Sequence, residues 1–339
     1  MNTFDFDTIA PGQAFSLQPD DVVLFHGGPA RLASASFDPS SGAVTVTFNT
    51  HTVVFDSSVV DVSVNAGLRF DDGSILVVGD ARDEALWGTA RSDAIFGGAG
   101  DDTLLGREGD NLLQGNQGRD VLISLSGADT LFGGQGDDYL QAGLSDGTPE
   151  RGNFAQGNLG DDTILGGSGL DTLLGGKGDD SIDGRDGGGF LNGNLGNDYL
   201  SSRGVGASLV GEDGNDTLVG RGFGEIMSGG PGADLFVVVN RFLDETPAPQ
   251  AFITDLDPLD HILLPGVRAN PNYQEIIAAD FRGAADAANA ILRTGGDIVV
   301  AQVGGDLYAF ANMANGPDAD LAIKIIGRTL DDVGPGTFV

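Results

Sequence analysis

The 339-residue chain has no cysteine, so neither disulfides nor a zinc–thiolate site can brace it. Basic residues are scarce. Seventeen Lys and Arg stand against fifty Asp and Glu, a formal charge of −33, which argues against nucleic acid or an anionic membrane surface as partner. Multivalent cations are the natural counter-charge. The only histidines are His26, His51 and His261, and there is no H-E-x-x-H and no nucleotide loop, so those chemistries lack carriers. No run approaches the roughly 18 apolar residues of a membrane span, which excludes insertion by a helix. The amino end, MNTFDFDTIA, is acidic and lacks the basic-then-apolar profile of a cleavable signal peptide. That leaves a cytosolic home, or export by a route that reads the other end. What the chain has in quantity is glycine, 56 residues, and the glycines fall on a period.

Sixteen copies of G-[G/N]-x-G-x-D-x-U-x, where U is a large apolar residue, lie between Gly79 and Val237. Seven run without a gap from 79 to 141 and nine from 157 to 237, with the segment 142–156 between them. A short fixed period predicts a solenoid, because each unit buries its apolar residue only by stacking on its neighbours. Glycines at positions 1 and 4 are expected to supply backbone angles that other residues avoid, and so to turn the chain tightly. The residues around position 8 form a short strand whose middle side chain enters the core: Leu104, Leu122, Leu140, Ile164, Ile182, Leu200, Leu218 and Phe236. Two units complete a coil, so turns on one edge recur every eighteen residues.

That parity separates two edges. On the first, all eight turns keep the corner glycines and an acid at position 6: Asp102, Asp120, Asp138, Asp162, Asp180, Asp198, Asp216 and Asp234. Coils of a parallel sheet stack roughly 4.8 Å apart. Carboxylates at that spacing repel by about 3 kcal/mol per pair at an effective dielectric near 20. Eight in a row exceed the roughly 5–15 kcal/mol that holds a whole domain together, so the row requires cations. Ca²⁺, which takes six or more hard oxygens, suits carboxylates set among inward carbonyls. About seven ions are expected, one per gap between the eight turns, held by these Asp side chains and by carbonyls of positions 2 and 4. The carbonyls are those of Gly98, Gly100, Asn116, Gly118, Gly134, Gly136, Asn158, Gly160, Gly176, Gly178, Asn194, Gly196, Glu212 and Gly214, joined by the next turn's first residues.

On the second edge only Asp93, Asp129 and Asp171 survive at position 6, and few ions are expected. Arg107, Arg185, Arg203 and Arg221 occupy position 2 there, with Arg91 and Arg151 at position 4. Their guanidinium groups are expected to replace calcium by pairing with the remaining acids.

The repeats resemble those of the RTX family of bacterial proteins, and the plainest copies are GGAGDDTLL at 97, GGQGDDYLQ at 133 and GGKGDDSID at 175. GGPGADLFVVV followed by ITDLDPLDHILL resembles the usual ending of such a repeat block. The resemblance implies a calcium-stacked parallel β-roll, export through type I secretion machinery by an uncleaved carboxy-terminal signal, and folding outside the cell where calcium is plentiful. The expected organisation is a small antiparallel β cap over 1–78, the roll over 79–237 with its stack broken by 142–156, and a mixed α/β cap over 238–339 that includes the secretion-signal region.

Fewer than eighty residues precede the repeats, too few for a protease or lipase domain of the kind many family members carry there. The expected function is therefore a secreted structural or adhesive calcium-binding protein of a cell surface, biofilm matrix or surface layer, whose partners are calcium, further copies of itself or cell-surface material. An alternative uses a flat face of the roll as a ligand- or ice-binding module, although the outward residues vary where an ice binder would show a threonine ladder. A third reading is a hydrolase, since Gly143-Leu144-Ser145-Asp146-Gly147 matches G-x-S-x-G. That motif needs a strand–turn–helix setting and a histidine partner, and none of the three histidines stands in one.

Overall fold

The structure is a computed structural model that describes residues 2–10, 15–18, 21–38, 40–60, 68–144, 151–239, 249–267, 272–311, 319 and 321–339. The chain is mainly β and divides into two compact units, Met1–Lys177 and Gly178–Val339.

The first unit begins with the expected antiparallel meander, Ser34–Asp38, Ala43–Phe48 and His51–Phe55. Alternation in AVTVTF puts Val44, Val46 and Phe48 inside. Beside it stands a parallel sheet of Thr3–Asp5, Val22–Phe25 and Leu68–Phe70, which local turn signals could not announce, because parallel strands are joined by long crossovers. Phe6, Phe25, Phe48 and Phe55 are fully buried, and Phe25 stacks on Phe70 with ring centroids 4.4 Å apart. The same cluster takes in Leu76, Val78, Ala94 and Phe96 from the first coils of the roll. The cap thus covers apolar surface that an open solenoid end would leave wet.

The roll of this unit has two parallel sheets. One contains Ala85–Trp87, Thr103–Glu108, Val121–Ser126, Tyr139–Ala142 and Thr163–Leu165. The other contains Leu76–Val78, Ala94–Ala99, Leu112–Gln117, Thr130–Gln135, Phe154–Leu159 and Asp171–Lys177. Position-8 residues line the interior, and Leu104, Leu122, Leu140, Ile164, Leu113, Leu131 and Leu173 have no exposed surface.

The stack does not break at 142–156, contrary to the sequence expectation. Thr130 pairs with Phe154 and Tyr139 with Thr163, the same rungs as elsewhere but 24 residues apart instead of 18. Ala142, Gly143 and Leu144 supply positions 1–3 of a turn and Arg151, Gly152 and Asn153 supply positions 4–6. Gly143 has the φ of a position-2 residue (102°), and the Asn153 amide donates to the Ala142 carbonyl at 3.0 Å. One nonapeptide has been opened in its corner, and 145–150 are additional.

The second unit continues the pattern with Ser181–Asp183, Tyr199–Ser202, Thr217–Gly220 and Leu235–Val238 on one face, and Gly189–Leu195, Ser208–Asp213 and Glu225–Ser228 on the other. Stacking runs past the last nonapeptide: Leu235–Val238 pairs with His261–Leu263, and Glu225–Ser228 with Ala251–Ile253. Ala251–Ile253 then pairs with Leu321–Ile325, which leads through Asp306–Ala311 and Ile298–Val303 to Tyr273–Ala278. The alanine-rich segment forms the helix Phe281–Leu292, N-capped by Asp280, which accepts from the Gly283 N–H. Its small face, Ala284 and Ala288, lies against Val299, Ala301 and Phe310. Among the described residues no helix is long and apolar enough to cross a membrane.

Candidate metal centre

The corner geometry explains the repeat and revises the role of one glycine. Positive φ occurs at positions 2 and 4, not at 1 and 4. Position 2 is left-handed in Gly98, Asn116, Gly134, Asn158, Gly176, Asn194, Glu212 and Gly230, which accounts for the G/N choice there, because Asn tolerates this region better than other side chains. Position 1 must be glycine for lack of room. A Cβ on Gly97 would lie 2.4 Å from Asp102 Oδ2 and 2.8 Å from the Gly115 carbonyl oxygen. On Gly115 it would meet Asp120 Oδ2 at 2.2 Å and the Gly133 oxygen at 2.7 Å, and on Gly211 Asp216 Oδ2 at 2.1 Å and the Gly229 oxygen at 2.5 Å. A carboxylate oxygen and the next turn's first carbonyl thus converge at these three corners. The carbonyls of positions 2 and 4 point along the stack, so that a Cβ on Gly134 would meet the Asn116 oxygen at 2.1 Å and one on Gly118 the Gly100 oxygen at 1.9 Å.

All eight first-edge Asp residues are buried, and their Oδ1 atoms form a ladder with the backbone. In the first unit Glu84, Asp102, Asp120 and Asp138 each donate N–H to Oδ1 of the acid one coil on, ending at Asp162, every bond 2.8 Å. In the second unit Asp180, Asp198, Asp216 and Asp234 do the same, ending at Asp260 (2.8–2.9 Å). The Oδ1 atoms of Asp102, Asp120, Asp138, Asp162, Asp198, Asp216 and Asp234 are therefore used. The second oxygen of Asp102, Asp120, Asp138, Asp198, Asp216 and Asp234 is buried with no hydrogen-bond partner. A buried unpaired carboxylate oxygen is costly, and burial drives these groups toward the neutral form. It raises Asp102, Asp162 and Asp216 to about 7, Asp138 to about 8, and Asp120, Asp198 and Asp234 to about 6. Neighbouring acids add to the shift: Asp120 for Asp102, and Asp162 for Asp138. Aligned hard oxygens with no donor to face them are the environment a divalent oxygen-seeking cation relieves.

The second edge is built differently. In the first unit its ladder runs from Ile75 N–H through Asp93, Asn111, Asp129 and Asn153 to Asp171, at 2.7–3.0 Å. Asp93 Oδ2 accepts from the N–H and hydroxyl of Thr89, and Asp171 Oδ2 from the Gly167 N–H at 2.8 Å. Asp129 Oδ2 is buried with no hydrogen-bond partner, and burial raises that carboxyl to about 6. In the second unit the corresponding places hold Gly189, buried Ala207 and Glu225, whose carboxylate accepts from the backbone of Arg221 and Gly222.

The guanidinium expectation is corrected in one respect. Arg151 pairs with Asp110, and Arg203 with Asp183 and Asp186 at 3.5 and 3.3 Å. These acids stand outside the ladder, on the turn's outer side. Arg107 and Arg185 instead take the left-handed position-2 backbone, φ 69° and 51°.

Sequence reasoning missed Glu84, Asn111, Asn153, Asp255 and Asp260. Glu84, Asn111 and Asn153 fall at position 6 of turns whose residue is not Asp; Asp260 comes 26 residues after Asp234 and so is out of period. Asp255 closes the last first-edge corner by accepting from Gly229 N, Gly230 N and Ser228 Oγ. A second, exposed ladder at position 5 was also missed. It runs in the opposite sense: Arg119 N–H reaches back to Asp101 and Asn215 N–H back to Asn197. Ser145 of the G-x-S-x-G match lies outside the described residues.

Comparison with known families identifies the array. The RTX calcium-binding nonapeptide repeat matches residues 78–113, 105–140, 114–148, 156–191 and 208–236. The array is thus made of RTX calcium-binding nonapeptide repeats, and it is a calcium-binding β-roll of a kind common in secreted proteins. No curated protein matches the chain.

Proposed function

We infer that the first edge holds a column of Ca²⁺ ions and that this column is what folds the chain. The observation that carries the reading is the series of buried, unpartnered Oδ2 atoms at Asp102, Asp120, Asp138, Asp198, Asp216 and Asp234, with the next turn's carbonyl close by in the corners at 97, 115 and 211. Asp162 and Asp180 are buried at the same position of their own turns. Each ion would be held by a position-6 carboxylate, the carbonyls of positions 2 and 4, and the first carbonyl of the following turn, about seven ions in all with few on the second edge. When bound, the ions supply the positive charge that the carboxylate column lacks; the protein's own part is to hold Oδ1 by backbone N–H groups so that Oδ2 faces the site.

The chain would leave the cell by type I secretion, unfolded while calcium is scarce, and fold outside. The net charge of −33 supports reading it as a calcium-bridged structural or adhesive component of a cell surface, matrix or surface layer, without catalysis. Far-UV circular dichroism with light scattering during a calcium titration of the chelated chain tests this. Cooperative gain of β-structure together with a rise in scattering is expected. Folding without assembly would leave a simple calcium-binding module, and full order in excess chelator would end the reading.

A further inference from the structure

The two edges share a backbone but not a chemistry, and the turn at 106–111 isolates the difference. It keeps corner glycines at Gly106 and Gly109, left-handed φ at Arg107 (69°) and Gly109 (95°), and a position-6 residue that is buried. In all of these it matches a first-edge turn. At position 6, however, the side chain is an amide in place of a carboxylate.

The direction of that amide is fixed by its neighbours. The Asp93 N–H can only donate, so the Asn111 atom 3.0 Å away is the oxygen. Nδ2 therefore takes the place that Oδ2 takes on the first edge: a Cβ on Gly106 would meet Asn111 Nδ2 at 3.1 Å, as one on Gly97 meets Asp102 Oδ2 at 2.4 Å. From there Nδ2 donates to the Gly109 carbonyl at 3.0 Å and more weakly to the Glu108 carbonyl at 3.4 Å. Two rungs on, Asn153 also turns its Nδ2 to a corner carbonyl, here that of position 1, donating to Ala142 at 3.0 Å and to Asp171 Oδ1 at 3.1 Å. The ladder Asp93–Asn111–Asp129–Asn153–Asp171 consequently alternates charge with neutrality, and no two of its carboxylates occupy adjacent rungs.

We propose that Asn111 and Asn153 are built-in replacements for metal ions, their amide hydrogens satisfying the corner carbonyls that on the first edge are left for a cation, so that the second edge of the first unit holds its register without calcium at these rungs. This rests on the first-edge reading and extends it: in the first unit the rungs of Asn111 and Asn153 would be closed by side-chain amides, while Asp129 between them keeps an Oδ2 without a hydrogen-bond partner.

The test compares bound calcium per chain, by equilibrium dialysis and titration calorimetry, for the full-length protein, Asn111→Asp and Asp120→Asn. Asn111→Asp should raise the count by at least one, since it restores a run of three acids on a backbone already shaped for the ion, and Asp120→Asn should lower it by at least one. An unchanged count in Asn111→Asp beside a lowered count in Asp120→Asn overturns the replacement role and spares the first edge. No change in Asp120→Asn removes the first-edge reading itself. Should Asn111→Asp fail to fold, crystals of the unaltered protein grown in calcium decide through anomalous density. The proposal requires peaks along the Asp102–Asp138 row and none at the ~2.3–2.6 Å ligand distance from the Asn111 side chain; a peak there refutes it.

Discussion

The Asp120 N–H donates to Asp138 Oδ1 at 2.8 Å, and the other oxygen of the same carboxylate, buried beside it, meets no donor. The first relationship sets register between coils. The second leaves a charge that the protein does not neutralise by itself. Asp138→Asn separates the two, because an amide oxygen can still accept from Asp120 while the Nδ2 hydrogens oppose a cation. The variant should need more calcium to reach half-folding and should bind at least one ion fewer. At free calcium tenfold above the dissociation constant, each lost ion costs about 1.4 kcal/mol. Melting curves at fixed calcium check this, and an unchanged midpoint with unchanged stoichiometry would remove the carboxylate from the ligand set.

Gly115→Ala should be far more damaging than its size suggests. The added methyl would stand 2.2 Å from Asp120 Oδ2 and 2.7 Å from the Gly133 carbonyl, inside the space where those oxygens converge. A loss of ~4 kcal/mol or more, at the far end of single-residue effects, is expected in saturating calcium. Gly305→Ala, whose methyl meets nothing within 4 Å, serves as the control and should melt within about 0.5 kcal/mol of the parent. Equal melting of the two variants would mean that the position-1 glycine is not there for the site.

Acid should partly replace calcium. Burial lifts the carboxyls of Asp102 and Asp216 to about 7 and that of Asp138 to about 8, against about 3.9 in an unfolded chain. A folded-state value raised in this way gives stability that is full below the unfolded value and is lost as pH rises through the folded one. In excess chelator the chain should therefore hold more β-structure near pH 5 than near pH 8. With calcium present the sign of the linkage reverses, because the ion requires ionised ligands: binding near pH 6.5 should release protons, and affinity should fall on acidification. Calorimetry in two buffers of different ionisation enthalpy measures the release. Greater order of the chelated chain at pH 8 would contradict the burial argument.

Much of this was legible in the sequence because the roll repeats one decision many times. Leu104, Leu122 and Leu140 reappear at the same place in every coil, and so does the acid two residues before each; a period of nine carries both. The legible part stops where an element is used once. Val22–Phe25 finds its parallel partners at Thr3–Asp5 and Leu68–Phe70, pairings set by the phenylalanine core and not by any turn between them. Position 1 looks like a conformational glycine in the sequence, which cannot distinguish a needed φ from a needed space. Asn111 shows in the sequence only as the absence of an acid at position 6, because its hydrogen bonds to Asp93 N–H and the Gly109 carbonyl depend on how the coils stack.

The interruption at 142–156 is the plainest case of a pattern present but divided. Written without 145–150, the segment reads Ala-Gly-Leu-Arg-Gly-Asn-Phe-Ala-Gln, a nonapeptide with its left-handed residue at position 2, Gly143, and its ladder side chain at position 6, Asn153. The rungs on either side already pair as though nothing intervened, Thr130 with Phe154 and Tyr139 with Thr163. Loop length weighs little on a closed stack, since each doubling costs only about 0.6 kcal/mol. Deleting 145–150 should therefore return the 18-residue spacing and leave calcium stoichiometry unchanged, with a melting temperature equal to the parent's or slightly above it. Retained calcium-dependent folding in the deletion variant would show that the roll's stability does not draw on these residues. Collapse of folding, with calcium binding lost at the neighbouring Asp138 and Asp162 rungs, would instead mean that the corner depends on its insertion.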